Sequence, residues 1–125
     1  TPIFYACNSG NVNLVKYLYR HGADIHRENW WGRTPLFYAC RSGHENIVKF
    51  LIGGGADINK KDKDNVTPLF EACKSGNEEL VKYLIEQGAD INGKDKDNST
   101  PIFEVCKKGN EELVKYMVDH GANIH

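Results

Sequence analysis

The sequence has no long apolar run. Although 40% of its 125 residues are hydrophobic, no stretch approaches the ~18 consecutive apolar residues of a membrane-spanning helix. The pattern of a secretory signal peptide, an apolar segment behind a basic start, is also missing. These two absences predict a protein that does not insert into membranes.

An excess of charge of one sign is missing as well. The 16 lysines and arginines nearly balance the 17 aspartates and glutamates, leaving a net charge of −1. Such a chain has no bulk attraction to nucleic acid or to anionic lipid. Cysteine is sparse, with four residues, far below the density of a disulfide scaffold. We therefore expect reduced thiols and an intracellular, cytoplasmic location.

What the sequence does have is a period of 33 residues. Thr-Pro pairs begin at positions 1, 34, 67 and 100, and the four cysteines follow the same spacing: Cys7, Cys40, Cys73 and Cys106. A fixed period of this length predicts stacked structural units that bury a core between neighbours. The units are 1–33, 34–66, 67–99 and the shorter 100–125, which together form one domain over residues 1–125.

Each unit predicts two short helices and an extended link. Thr34 and Pro35 suit the start of a first helix, and Gly43 suits its end. Asn77 can cap the second helix of unit three. The second helices carry apolar residues on one face, at spacings of i, i+1, i+4 and i+5. Glycines follow them where a helix commonly ends in a left-handed residue: Gly22, Gly55, Gly88 and Gly121.

The segment 34–62, TPLFYACRSGHENIVKFLIGGGADINKKD, resembles the ankyrin repeat, and the resemblance covers the chain four times over. It implies an all-α solenoid of stacked helix-turn-helix units with short β-hairpin or loop fingers. It also implies a non-enzymatic scaffold that binds another protein or peptide. The family usually has histidine where this chain has phenylalanine, so we expect packing there in place of a hydrogen bond: Phe4, Phe37, Phe70 and Phe103.

Other chemistries fit the sequence poorly. One cysteine per unit lacks zinc-ligand spacing, and stacked helices ~8–10 Å apart exceed the ~7 Å Cα limit for a disulfide. We therefore expect four separate, buried thiols. The segments 62–73 and 95–106 lack several ligands of a calcium loop, and the pair His21 and His26 straddles a helix end. No nucleophile elbow or phosphate loop is present. The sequence thus predicts no enzyme activity, metal or cofactor.

Aspartates interleave with the link lysines at 60–64 and 94–97 and largely cancel their field, which argues against a nucleic-acid partner. The resemblance implies that finger tips and first helices line a concave binding face. The partner-binding residues predicted on it are Tyr5, Trp30, Trp31, Arg33, Tyr38, Arg41, Lys63 and Lys74. Trp, Tyr and Arg are enriched in binding hot spots.

The adjacent tryptophans Trp30 and Trp31 stand out in this set. Gly32 already supplies the turn, so local structure does not require them. Two compatible interpretations follow: a tryptophan packs on the neighbouring finger or on Arg33, or it contacts a partner. Charge changes along the chain in the same direction. Unit one has four basic and two acidic side chains, and unit three has four and seven.

Several expectations concern the wider protein. The units are expected to be a slice of a longer array, with apolar strips exposed at both ends and a monomer capable of end-to-end association. Alternative roles are a structural spacer in such an array or a targeting domain of a multidomain enzyme. The resemblance also implies asparaginyl hydroxylation at Asn59 and Asn92. Finally, Gly53, Gly54 and Gly55 predict fraying at the end of unit two's second helix.

Overall fold

The computed structural model describes residues 1–125 as four stacked pairs of α-helices without β-strands. Each pair belongs to one 33-residue unit, which confirms the all-α solenoid. The first helices of the units are α1 Pro2–Ser9, α3 Pro35–Arg41, α5 Pro68–Ser75 and α7 Pro101–Lys108. The second helices are α2 Val12–Arg20, α4 Glu45–Gly53, α6 Glu78–Glu86 and α8 Glu111–Asp119. None of the eight is long and apolar enough to cross a membrane.

The first helices begin where the Thr-Pro pairs predict, but the threonine side chains contribute less than expected. Only Thr67 accepts a hydrogen bond through its hydroxyl, from the Phe70 amide at 3.3 Å. Thr34 makes no such side-chain bond. The Phe37 amide instead donates to the Thr34 carbonyl at 3.1 Å. Because proline needs no partner for a first-turn amide, the backbone alone can start the helix.

Asparagine side chains cap three of the four second helices. Asn11, Asn77 and Asn110 accept hydrogen bonds from the leucine amides three residues later, at 3.0–3.1 Å. This confirms the expected cap of unit three. The glycines after these helices lie in the left-handed region, with φ of 95–100°, which a side chain would strain. Local sequence signals therefore set both ends of the second helices.

The core runs continuously through the stack of units. Each first helix packs on the next, from α1 through α3 and α5 to α7, and also on the second helix of its own unit. The largest fully buried side chains come from both the first and the second helices: Phe37, Leu36, Ile47, Leu51, Leu69, Leu80, Leu84, Leu113, Met117, Val15, Val48 and Val81. Since no pair could bury these residues alone, stacking holds the fold together.

All four cysteines are free, as the spacing predicts. Burial raises the pKa of the Cys7 and Cys73 thiols to about 12 and raises that of Cys40 as well. These three thiols are therefore inert small core residues. The prediction of burial is wrong for Cys106, which is exposed. Cys106 lies on α7, whose outer face has no further helix packed against it.

The two ends of the stack differ from the expected apolar strips. At the first unit, Leu14 is 40% exposed but Ile3 is buried. In unit four, Ile102, Val105, Leu113 and Met117 are buried, whereas Phe103, Val118 and Ile124 are exposed. A concavity of about 730 Å³ lies on this outer face. At the inner units the equivalent face is covered by the next helix pair.

Candidate partner-binding surface

The links between units project as three fingers, Asn29–Arg33, Asp62–Val66 and Asp95–Ser99. Each is a hydrogen-bonded turn without β-strands. In each finger, a side-chain oxygen of the first residue accepts hydrogen bonds from two backbone amides. Asn29 Oδ1 receives those of Trp31 and Arg33, each at 3.0 Å. Asp62 and Asp95 bind the equivalent amides at 2.8 and 2.9 Å. This clasp is the same in every finger and does not involve the tip side chains.

The tip of each finger requires one left-handed residue, and the chain places glycine or asparagine there. Gly32 has φ of 77°, and Asn65 and Asn98 both have φ of 62°. These residue types tolerate that conformation best. The indole side chains of Trp30 and Trp31 therefore have no role in forming the turn, as the sequence predicts.

The two tryptophans are exposed and also contact their neighbours. Trp30 is 75% and Trp31 50% exposed, with ring centroids 5.7 Å apart and ring planes perpendicular. The Lys63 ammonium lies 4.3 Å from the Trp30 ring centroid, and the Arg33 guanidinium lies 5.5 Å from that of Trp31. These cation–π contacts orient the indoles without covering them. They agree with the first interpretation, packing on the neighbouring finger and on Arg33, whereas contact with a partner stays a prediction.

Arg33 braces the first finger from below. Its Nε donates to Asp62 Oδ2 at 3.2 Å, and its guanidinium lies 4.9 Å from the Phe37 ring centroid. Burial alone would lower the Arg33 pKa, but the neighbouring Tyr38 hydroxyl and Asp62 carboxylate raise it above its ordinary value. The Arg33 side chain is only 18% exposed. Arg33 therefore supports the surface more than it presents a free contact.

Tyr38 connects the finger to helix α3. Its hydroxyl accepts a 2.6 Å hydrogen bond from Asn29 Nδ2, and its ring meets those of Phe4 and Phe37 edge-on, at centroid distances of 5.7 and 5.6 Å. Fingers two and three have aspartate at the position of Asn29, and a carboxylate cannot donate this bond. The first finger is thus the one fixed to its helix in this way.

Arg41 extends the same cluster along α3 toward unit three. Its guanidinium lies 5.1 Å from the Phe37 ring centroid and 5.6 Å from that of Tyr38. Arg41 Nε also lies 3.6 Å from the buried carboxylate of Glu71 on α5. Phe37 and Phe70 are both buried, so packing replaces the family's histidine there as expected. In unit four, Phe103 is exposed.

Six of the eight predicted contact residues form one connected cluster: Trp30, Trp31, Arg33, Tyr38, Arg41 and Lys63. Tyr5 lies on α1, 79% exposed, and Lys74 is exposed on α5; neither makes a ring or ion-pair contact with the six. The cluster is supported by three residues outside the predicted set, Asn29, Asp62 and Glu71, and by Phe37, which was expected to pack. The change from aspartate to Asn29 between fingers was a visible signal for the first of them.

The two asparagines predicted to be hydroxylated tie neighbouring loops together. Asn59 donates to the Gly88 carbonyl at 3.3 Å and accepts the Asp90 amide at 2.8 Å. Asn92 makes equivalent bonds to unit four, at 3.0 and 2.8 Å. Both side chains are exposed, but these hydrogen bonds engage them, so a modifying enzyme has to break the bonds first. Their hydroxylation stays a prediction. Unit one has His26 at this position and no equivalent bridge.

The remaining titratable side chains do not gather into a reactive centre. His21 stacks on Tyr17 with centroids 4.2 Å apart, and its Nδ1 lies 2.8 Å from the Tyr17 carbonyl oxygen. His120 and Tyr116 repeat this arrangement at 4.0 Å. No three histidine, cysteine or carboxylate side chains lie close enough together to hold a metal ion.

Stacked helix pairs with projecting fingers define a helical repeat protein, with its aromatic cluster on the fingers and first helices. Residues 1–62 and 54–125 each match the sequence profile described as "Ankyrin repeats (3 copies)". Because these matches span the chain, the protein belongs to the ankyrin repeat family. Ankyrin repeats are generally protein–protein interaction modules and are typically non-enzymatic. A search of curated proteins gives no significant match to this chain.

Proposed function

We propose that this protein is a non-enzymatic module that binds another protein or peptide through the concave surface of units one and two. One observation carries the proposal: two exposed tryptophans are held on a finger that is braced from below. Exposed large aromatics at a turn tip have no structural need, whereas buried Trp, Tyr and Arg contacts dominate binding energies at interfaces. We name this surface, formed by Tyr5, Trp30, Trp31, Tyr38, Arg41 and Lys63, the aromatic surface.

The bracing supports the proposal energetically. Binding costs about 0.5–1.5 kcal/mol for each rotamer-rich side chain that becomes ordered. Here the Tyr38–Asn29 hydrogen bond and the Arg33–Asp62 ion pair hold the finger before a partner arrives. The cations over both indoles limit their rotamers further. A partner therefore meets a preorganised surface and loses little affinity to ordering it.

Other features of the chain bear on its cellular location and on its association with further units. Its four thiols are unpaired, and three of them are buried, which suits a reducing compartment such as the cytoplasm. The exposed Phe103 and Ile124 on the outer face of unit four suit weak end-to-end association or a further stacked unit. We propose both as secondary features of the module.

A pull-down tests the proposal with a matched control. The Trp30→Ala, Trp31→Ala double variant removes both indoles, and Lys96→Ala, Asp97→Ala changes the same two positions of finger three. We expect the wild type and the finger-three variant to retain the same proteins and the tryptophan variant to lose them. Circular dichroism checks that both variants fold. If the tryptophan variant retains an identical set, the aromatic surface is not the binding site; if nothing binds the wild type, a spacer role is favoured.

A further inference from the structure

Lys63 of the aromatic surface and Lys74 of the neighbouring helix α5 lack the carboxylate partners that their counterparts have one unit later. Lys96, at the tip of finger three, pairs with Asp64 of finger two at 3.4 Å. Lys107, at the end of α7, pairs with Glu104 of its own helix at 3.6 Å. Lys63 and Lys74 occupy the same two positions one repeat earlier and form no ion pair. The equivalent lysines one unit later therefore show that a carboxylate is the partner that fits these two positions.

The reason for each missing pair is a specific substitution or contact. Lys63 would meet position 31 of the preceding finger, but Trp31 stands there in place of an aspartate, and the Lys63 ammonium moves over the Trp30 ring. Lys74 would pair with Glu71 on its own helix, but that carboxylate already faces Arg41 at 3.6 Å. Both ammonium groups therefore have no carboxylate partner: that of Lys63 lies against the Trp30 ring, and Lys74 is exposed.

Arg41 adds donors to the same region. Its side chain is 42% exposed, and a guanidinium carries five N–H donors. The Arg41 Nε–Glu71 distance of 3.6 Å is longer than a good charge-assisted hydrogen bond. The partly exposed guanidinium, which lies near the Phe37 and Tyr38 rings, therefore has donors to spare for a ligand.

We propose that the ligand of the aromatic surface is an extended acidic peptide segment with an apolar side chain next to its carboxylates. The apolar side chain packs on Trp30 and Trp31, one carboxylate meets Lys63, and another meets Lys74 and the free edge of Arg41. These contacts supply from the partner the carboxylates that Asp64 and Glu104 supply elsewhere in the array. This inference rests on the proposed function, because it names the ligand of the same surface.

Single-stranded nucleic acid is the competing ligand for aromatic rings interleaved with cations. The surrounding carboxylates disfavour it. Asp62 and Glu71 already neutralise Arg33 and Arg41, and the exposed carboxylate of Asp64, beside Lys63 in the chain, would face a phosphate backbone. Among the cations of the first and second fingers' tips and of helices α3 and α5, only Lys63 and Lys74 have no carboxylate partner. Two free cations are too few for the phosphate contacts that dominate such binding. A peptide can place its few carboxylates at those two points alone.

Selection from a phage-displayed library of random dodecapeptides tests the inference, because the library offers ligands of every charge and polarity. Four immobilised proteins are compared: the wild type, the Trp30→Ala, Trp31→Ala variant, the Lys63→Glu, Lys74→Glu variant, and a control, Lys94→Glu, Lys115→Glu. The control makes the same change in net charge at exposed lysines away from the aromatic surface. We expect wild type and control to enrich acidic peptides that contain an apolar residue.

The variants separate the two proposals. The tryptophan variant is expected to enrich no such peptides, and Lys63→Glu, Lys74→Glu to weaken a selected synthetic peptide at least about tenfold in fluorescence anisotropy. Tryptophan-dependent selection of neutral or basic peptides would overturn the acidic ligand but leave the binding surface standing. Selection that ignores the tryptophans would overturn both. Tryptophan-dependent binding of labelled oligo(dT) that is tighter than that of any selected peptide would assign the surface to nucleic acid instead.

Discussion

The first finger with α3 and the second finger with α5 have the same backbone but present different chemistry. Asn29 and Asp62 clasp their turns through equivalent hydrogen bonds. Above this clasp the first finger carries exposed indoles, while the second carries Lys63 and Asp64. The first finger is joined to its helix by the Asn29–Tyr38 bond, for which the second finger has no donor.

The difference shows that one set of positions in each unit holds the backbone and another set forms the exposed surface. Clasp, turn and cap positions recur because each unit needs the same backbone path. The tip and the outer side of the first helix are free of that requirement, and there the units diverge. A binding surface can therefore change from one repeat to the next without a change of fold, and the comparison can be tested at the residues that differ.

The largest expected effect comes from the phenylalanines beneath the two fingers. Phe37 and Phe70 are buried to the same degree, so Phe37→Ala and Phe70→Ala should each cost about 3–5 kcal/mol of unfolding free energy. Only Phe37 lies under two guanidinium groups, which should make its loss about 1 kcal/mol larger. Urea denaturation measures both. If either alanine variant fails to fold, the leucine variants give the same comparison, and equal costs would contradict it.

The next effect concerns the link between fingers one and two. Asp62→Ala removes the clasp of finger two and leaves the largely buried Arg33 without its partner, at an expected cost of about 2–3 kcal/mol. Asp95→Ala removes a clasp alone and should cost about 1 kcal/mol. The cost of Asp62→Asn should fall between these two values, because an amide oxygen can accept the hydrogen bonds of the turn as Asn29 does. Equal midpoints in urea for the two alanine variants would show that Arg33 does not couple the fingers.

A gain in stability is expected at the end of unit two. Helix α4 ends at Gly53, where unit three has Glu86, although both helices have nine residues. A Cβ at Gly53 would meet no atom within 4 Å, so Gly53→Ala should add about 0.8–1 kcal/mol. Gly54→Ala is the control, because its Cβ would lie 3.2 Å from Ile25 Cδ1. An unchanged or lower melting temperature for Gly53→Ala would rule out the predicted fraying.

The smallest expected effect tests whether the difference between units is confined to the side of the fingers and first helices. On the back of the stack, Lys49 and Lys82 each lie 5.3 Å from the ring centroid of a tyrosine in the next unit. Lys49→Ala and Lys82→Ala should therefore cost the same, about 0.5 kcal/mol. Lys115 has no ring beyond it, and Lys115→Ala should cost nothing measurable. Unequal losses for the first two, by thermal unfolding, would extend the difference between units to the back face.

The sequence alone determined the repeat, the helices and the turns of the fingers. These features depend on residues close together in the chain: Pro35 starts a helix, Asn77 caps one, and Gly32 turns a finger whether or not a neighbour is present. Spacing by 33 residues then implied stacking, because no single helix pair can bury its apolar face. The predicted contact residues were drawn from the same local register, and six of the eight lie in one cluster.

Only the tertiary structure decided which side chains support the surface and which are free to bind. Whether Cys106 is buried depends on a neighbouring unit, not on its own. Glu71 could have paired with Lys74 on the same helix, but stacking brings Arg41 of the previous unit against it instead. Lys63 likewise has no carboxylate because Trp31 faces it across the gap between fingers. Such pairings join residues about 30 positions apart, and their choice depends on distances that only the packed units define.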